Sequence, residues 1–150
     1  MIVLLDSGPL GILSNPNSTP ATRECRYWSE RLVARGYRLI IPEITDYEVR
    51  RELLRANKLA GIRRLNQLKI SLDYLPLTTA TMLKAAEFGA EVRQAGKPTA
   101  SPESLDGDAI LAAQATLIAE AQSDRAVVVA TTNVGHLERF TNAKYWQAIN

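Results

Sequence analysis

An α/β fold follows from three observations. Residues 2–5, 37–41 and 126–131 are short apolar runs of strand length that end at polar or turn residues. The segments between them are longer and carry apolar residues at helical spacing. The two kinds of segment alternate along the chain, as they do in α/β domains.

The first strand covers residues 2–5, and Gly8-Pro9 behind it suits a helix start with proline at its first position. Residues 15–20 form a polar loop rich in Asn and Pro. A helix follows with Cys25, Trp28, Leu32 and Val33 on one face, and it stops at Gly36. Residues 37–41 form the second strand, closed by Pro42. Helices are expected from Thr45 to about Ala56, and again where Leu59, Ile62, Leu65, Leu68 and Leu72 recur. Residues 74–77 suggest a short third strand despite Pro76. Residues 79–94 are helical, ending at Gly96, and residues 97–104 have the most loop-like composition, suited to covering a cleft. A long helix over 106–122, a buried strand over 126–131 and a short helix over 135–140 complete the chain.

A length of 150 residues fits one domain burying roughly 70% of its unfolded surface. With 46% hydrophobic and 23% charged residues, the composition is that of a globular protein. No apolar run approaches the roughly 18 residues that would span a bilayer. The N-terminus enters a strand at once, without the marks of a signal peptide. Cys25 is the sole cysteine, which excludes an internal disulfide and suits a reducing, cytoplasmic setting. One Cys and one His cannot build a structural zinc site, so a metal here would be oxygen-ligated.

Polar residues recur at the junctions between strands and helices. Asp6 ends the first strand and Glu48 lies near the start of the helix after the second. Asp106 and Asp108 open the long helix, and Asn133 follows the last strand. In an α/β sheet such junctions converge on one cleft. Two carboxylates about 5 Å apart repel by roughly 3 kcal/mol at an effective dielectric near 20, and a divalent cation relieves that repulsion. Each residue also has a plain structural role open to it. Asp6 suits a helix N-cap, Thr45-Asp46-Tyr47-Glu48 fits a capping box, both Asp106 and Asp108 suit a helix N-terminus, and Asn133 suits a turn.

The segment 45–72 holds seven basic residues, Arg50, Arg51 and Arg55 among them, against three acidic ones, in a chain whose net charge is only +2. Such a face suits phosphate contacts, or equally an ordinary solvated helix surface. His136, three residues past Asn133, is within reach of the cleft but is read as a surface or capping residue. Trp28, Tyr145 and Trp146 are read as core or interface, and Cys25 as a small core residue.

Taken in order, Leu4-Leu5-Asp6-Ser7, Glu48, Asp108-Ala109-Ile110-Leu111-Ala112-Ala113 and residues 131–140 from Thr131-Thr132-Asn133 onward resemble the PIN-domain nucleases, including the VapC-like toxins. The resemblance implies a three-layer sandwich with a parallel central sheet flanked by helices. It implies an Mg²⁺- or Mn²⁺-dependent ribonuclease with Asp6, Glu48 and Asp108 as the acidic metal ligands. Asn133 stands where many relatives carry a fourth Asp. Ser7 supports Asp6 or a metal-bound water, or is a turn residue. The register of Asp108 against Ile110-Leu111-Ala112-Ala113 matches the family motif, which leaves Asp106 as a supporting N-cap. The implied partners are RNA, a small DNA-binding antitoxin protein and a second copy of the chain, with no membrane. Two other readings stand beside it: a PIN-like module that binds RNA or a partner without cutting it, and an aspartyl phosphotransferase using Asp6. The phosphotransferases have a second Asp two positions on, where this chain has Gly8.

Overall fold

A computed structural model describes residues 1–96 and 102–150 of the chain. Five strands form one sheet: β1 (Ile2–Leu5), β2 (Arg38–Pro42), β3 (Asp73–Leu75), β4 (Val127–Thr131) and β5 (Ala143–Tyr145). Their order is β3-β2-β1-β4-β5, and every pairing is parallel. Parallel neighbours require crossovers, and helices supply them. α1 (Ser7–Ser14) and α2 (Pro20–Ala34) join β1 to β2, while α3 (Glu43–Arg55) and α4 (Leu59–Ser71) join β2 to β3. α5 (Thr79–Gln94) and α6 (Pro102–Ala121) lead from β3 to β4, and α7 (Val134–Leu137) leads on to β5.

The chain first builds outward from β1 through β2 to β3, then returns to place β4 on the other side of β1. That reversal opens a crevice at the carboxyl ends of β1 and β4, the usual place for a site in such sheets. β1 is buried on both faces, which is why it reads as an unbroken apolar run. Val3 and Leu5 pack with Leu10, Leu13, Cys25, Trp28 and Leu32 on one side. Ile2 and Leu4 pack with Leu111, Ala115 and Ile118 of α6 on the other. The result is the three-layer α/β sandwich with a parallel central sheet.

Several expected boundaries move, each for a local reason. α3 starts at Glu43, two residues before Thr45, so Thr45 is already inside the helix and its hydroxyl donates to the Pro42 carbonyl at 3.0 Å. No capping box forms there, and Glu48 is free for another role. α6 begins at Pro102, so Asp106 lies within the helix and is not its N-cap; of the loop expected over 97–104, residues 97–101 lie outside the described residues and the rest is helical. Pro9 sits third in α1, behind the N-cap Asp6, at a position whose N–H has no helical partner to lose. Val33 points outward at 49% exposure, because Trp28 and Leu32 already fill that side of α2. β5 was not apparent in the sequence: three residues, Ala-Lys-Tyr, carry no period.

Trp28 and Trp146 meet edge to face at 5.4 Å between ring centroids, and the Trp28 indole donates to the Ile149 carbonyl at 2.9 Å. This places both rings in the core, while Tyr145 is exposed. Burial pushes the Cys25 thiol up to about 12, with a smaller push from Glu24, so Cys25 is the inert core residue expected.

The C-terminal segment after β5 is therefore a structural clamp on α2. Trp146→Ala should cost about 3–5 kcal/mol of stability in urea denaturation. A loss under about 1 kcal/mol would mean that the Trp28–Trp146 contact does not close this side of the core.

Candidate functional site

Asp6 leaves the buried end of β1 and caps α1. Its Oδ1 accepts from the Ser7 backbone N–H at 2.7 Å, and its Oδ2 accepts from the Thr131 hydroxyl at 2.7 Å. Thr131 is fully buried at the end of β4, and its Oγ1 also accepts from the Asn133 backbone N–H at 2.9 Å. One hydroxyl thus ties the ends of the two central strands and orients the carboxylate between them.

Glu48 comes to this place from the second turn of α3. Burial first, then the charges of Asp6 and Asp108, push its carboxyl up to about 7, with Arg51 opposing. Asp108 of α6 is raised to about 6 by burial and by Asp6, while His136 and Arg139 pull it down. Three elements distant in sequence therefore place three carboxylates within one another's fields. Gly107 makes the approach of α6 possible. A Cβ there would fall 2.8 Å from Glu48 Oε2, inside contact distance.

Asn133 caps α7 from an exposed position, with its side-chain nitrogen 3.2 Å from His136 Nδ1. That same Nδ1 lies 3.5 Å from Asp108 Oδ2. His136 therefore reaches the acidic cluster and is more than the surface or capping residue expected. Asp106 turns toward α5, where Arg93 Nη2 lies 3.4 Å from its Oδ1. The structure thus gathers Asp6, Glu48 and Asp108 and leaves Asp106 outside.

The basic segment divides in the same way. Asp46, only 5% exposed, is surrounded by Arg50 at 2.9 Å, Lys69 at 3.1 Å and the Tyr74 hydroxyl at 3.1 Å. A buried carboxylate needs such partners, so Arg50 and Lys69 serve the fold. Arg55 pairs with Glu52 at 2.8 Å. Arg51, whose Nε lies 3.4 Å from Glu52 Oε1, stands with Glu52 on the rim of a cleft of about 390 Å³ that Ser7, Ser14, Glu48 and Thr132 also line. Ser7 thus lies in the cleft as well as beside Asp6, where its hydroxyl is 3.5 Å from Oδ1.

Among the described residues, no group of three His, Cys, Asp or Glu side chains stands close enough together to hold a metal ion. The three crowded carboxylates still suit a hard, oxygen-preferring cation, one that takes one or two protein ligands and keeps several waters. Thr131, Gly107 and His136 are the neighbours that sequence reasoning missed. Thr131 read only as a strand residue, and the one available signal for Gly107 was a glycine placed where alanine is about 1 kcal/mol more helix-favouring.

The family model described as PIN domain matches residues 13–138. The chain belongs to the PIN-domain family. The matched range includes Glu48, Asp108 and Asn133 and begins after Asp6, whose place rests on the geometry above. Among curated proteins no sequence match is found. The PIN fold recurs in solved structures. The VapBC2 structure from Rickettsia felis, bound to a DNA fragment from their promoter, superposes with a TM-score of 0.71 at 18% identity, covering 97% of this chain and 99% of that one. VapBC-1 from nontypeable Haemophilus influenzae gives 0.70 at 20% identity, covering 98% and 99%. FitAcB from Neisseria gonorrhoeae gives 0.66 at 20% identity with the same coverage. At such identities these likenesses establish the fold.

Glu48 and Asp108 are both raised above their ordinary 4.5 and 3.8. The native protein therefore binds more protons than the unfolded chain between roughly pH 4 and 7, and these groups withdraw stability as pH rises through that window. Without divalent cations, the gap in melting temperature between Glu48→Gln and the wild type should widen in favour of the variant from about pH 5 to about pH 8. A gap that stays constant or reverses would show that Glu48 is not crowded by charge.

Proposed function

We propose that this PIN-domain protein is an Mg²⁺- or Mn²⁺-dependent endoribonuclease and the toxin half of a toxin–antitoxin pair. The observation that supports this best is the meeting of Asp6, Glu48 and Asp108, each from a different element, with two of the three raised toward neutral pH. Perturbed carboxylates in a cleft are a marker of function. The fold shared with VapBC structures, one of them bound to promoter DNA, supports a small DNA-binding antitoxin as partner. Among the described residues no helix is long and apolar enough to cross a membrane, in keeping with a cytoplasmic setting. A homodimer is part of the same reading, and sedimentation of the purified chain tests it.

Asp6, Glu48 and Asp108 would hold the cation. When bound, it lowers the pKa of a coordinated water and neutralises charge on the phosphate. The chain's own residues prepare for this. Thr131 keeps Asp6 Oδ2 in one orientation, and the contacts of Asp46 with Lys69 of α4 and Tyr74 of β3 hold α3 so that Glu48 faces the cleft. Glu48 and Asp108, raised toward neutral pH, would have to give up their protons to hold a cation, so its affinity would rise with pH toward neutrality. Arg51 on the rim offers a phosphate contact, and the amide of Asn133 adds a polar group without further negative charge.

A second reading, a module that binds RNA without cutting it, draws on the absence of a closed three-residue metal cluster among the described residues. The aspartyl phosphotransferase reading is disfavoured: a Cβ at Gly8 would lie 2.5 Å from Thr132 Oγ1, so a second Asp has no room there.

Labelled RNA should be cut with Mg²⁺ or Mn²⁺ and left intact with chelator. Asp6→Asn and Asp108→Ala should abolish cutting, whereas Asp106→Ala should leave it near wild type. RNA that stays intact at millimolar Mg²⁺ and Mn²⁺ returns the chain to the binding-module reading.

Gly107→Ala separates site geometry from fold. Alanine favours the helix by up to about 1 kcal/mol, and the atom it meets is the movable end of Glu48. Cleavage should fall at least about tenfold, a barrier change near 1.4 kcal/mol, with the melting temperature unchanged or raised. Unaltered cleavage would show that the position of Glu48 Oε2 does not matter.

A further inference from the structure

On the helical wheel of α3, Arg51 lies between Tyr47 and Glu48, since residues four apart are neighbours on a helix face. The Arg51 guanidinium sits over the Tyr47 ring, 5.4 Å from its centroid. Tyr47 is 57% exposed, so this pair is a ridge open to solvent. On one side of the ridge is the cleft lined by Ser7, Glu48, Arg51, Glu52 and Thr132, acidic through Glu48 and Glu52 and adjoining Asp6 through Ser7. On the other side is a second concavity of about 500 Å³, bordered by Tyr47, Ile44, Tyr74, Leu77 and Arg50, and by Glu43 and Asp46, whose carboxylates are engaged by the Leu77 N–H and by Arg50, Lys69 and Tyr74. That size falls in the range of small-ligand sites, and its mix of aromatic and aliphatic walls with a few polar groups is typical of them. Arg50 uses its Nε and one Nη on Asp46, and a guanidinium has five N–H donors in all.

Base-on-aromatic stacking with an arginine at the phosphate is the usual way proteins hold unpaired nucleotides. In the free protein, Arg51 occupies the stacking face of Tyr47. An incoming base that takes its place, with the exposed 3.4 Å pair to Glu52 released, frees the guanidinium for the adjoining phosphate.

We propose that Tyr47 and Arg51, with the concavity behind them, form a subsite for one unpaired nucleotide of the RNA strand that enters the acidic cleft. The base stacks on Tyr47, its edge faces the concavity that Arg50 borders, and its phosphate pairs with Arg51. The subsite rests on the ribonuclease reading of the cleft, and it adds a demand for an unpaired base beside the cut.

The test is fluorescence anisotropy with a labelled single-stranded oligoribonucleotide in chelator, so that binding is read without cleavage, alongside a blunt RNA duplex. Tyr47→Ala should weaken single-strand binding by roughly 5- to 100-fold, the span of one base stack, while Tyr47→Phe stays within about twofold of wild type. Duplex binding should be the same for Tyr47→Ala and wild type. Arg51→Ala should weaken single-strand binding and lower its salt slope by about 0.7, one phosphate contact. Single-strand binding by Tyr47→Ala equal to wild type, Tyr47→Phe as weak as Tyr47→Ala, or a wild type that binds no RNA would each overturn the subsite. Cleavage by Tyr47→Ala at an unchanged KM also overturns the subsite and leaves the nuclease reading standing. Tyr47-dependent binding without any Mg²⁺-dependent cleavage supports the subsite and removes the nuclease reading instead.

Discussion

The parallel pairing of β1 with β4 is the contact on which the rest of this molecule turns. β1 is enclosed on both faces and both edges, so its register is held by packing as well as by the ladder. A one-residue slip would exchange Val3 and Leu5 for Ile2 and Leu4 across the whole sheet. Because that register is rigid, Asp6 emerges at a defined height beside Thr131 and their bond closes at 2.7 Å. The carboxylate is thus aimed by the core itself, two residues after the last buried position on the same face.

Glu48 and Asp108 reach the crevice differently. Each rides on a helix, and the helices are placed by unlike means. α3 is pinned by a buried ionic cluster in which its Asp46, paired with Arg50 on the same helix, also meets Lys69 of α4 and Tyr74 of β3. Breaking one partner of such a cluster leaves a buried charge uncompensated, so the cluster resists rotation of α3. α6 is placed by steric room, since Gly107 allows its backbone to come against the Glu48 carboxylate. Ionic pinning on one side and a missing side chain on the other hold these two acids closer than their charges favour.

That crowding is the local departure from an otherwise self-consistent fold. Several surface carboxylates elsewhere have cationic neighbours, as Asp73 has Arg38 at 2.7 Å and Glu52 has Arg55. At the crevice the nearest cations, Arg51 and Arg139, only partly offset repulsion and burial. Stability sacrificed at one place in a well-packed protein is a mark of a working site.

Much of this was legible in the chain. Runs of buried apolar residues fall at β1, β2 and β4, and the glycines at 36 and 96 end α2 and α5 with positive φ, as helix-stop signals should. Asp6 and Asn133 were legible as residues at element junctions, because a junction is a local feature; Glu48 and Asp108 lie more than a turn inside α3 and α6, and only the family motif singled them out. Other features were not local. The start of α3 moved two residues because Pro42 and Glu43 meet β3 and the loop after it, where Glu43 accepts from the Leu77 N–H at 2.7 Å. β5 is three residues long and exists because β4 offers it an edge. The separation of Asp108 from Asp106, and of Arg51 from Arg50, depended on which side of each helix faces which neighbour: Asp106 meets Arg93 of α5 and Asp108 meets His136, while Arg50 turns to the buried Asp46 and Arg51 to the cleft. Periodicity describes one helix at a time, and only packing between elements brings distant charges into one another's fields.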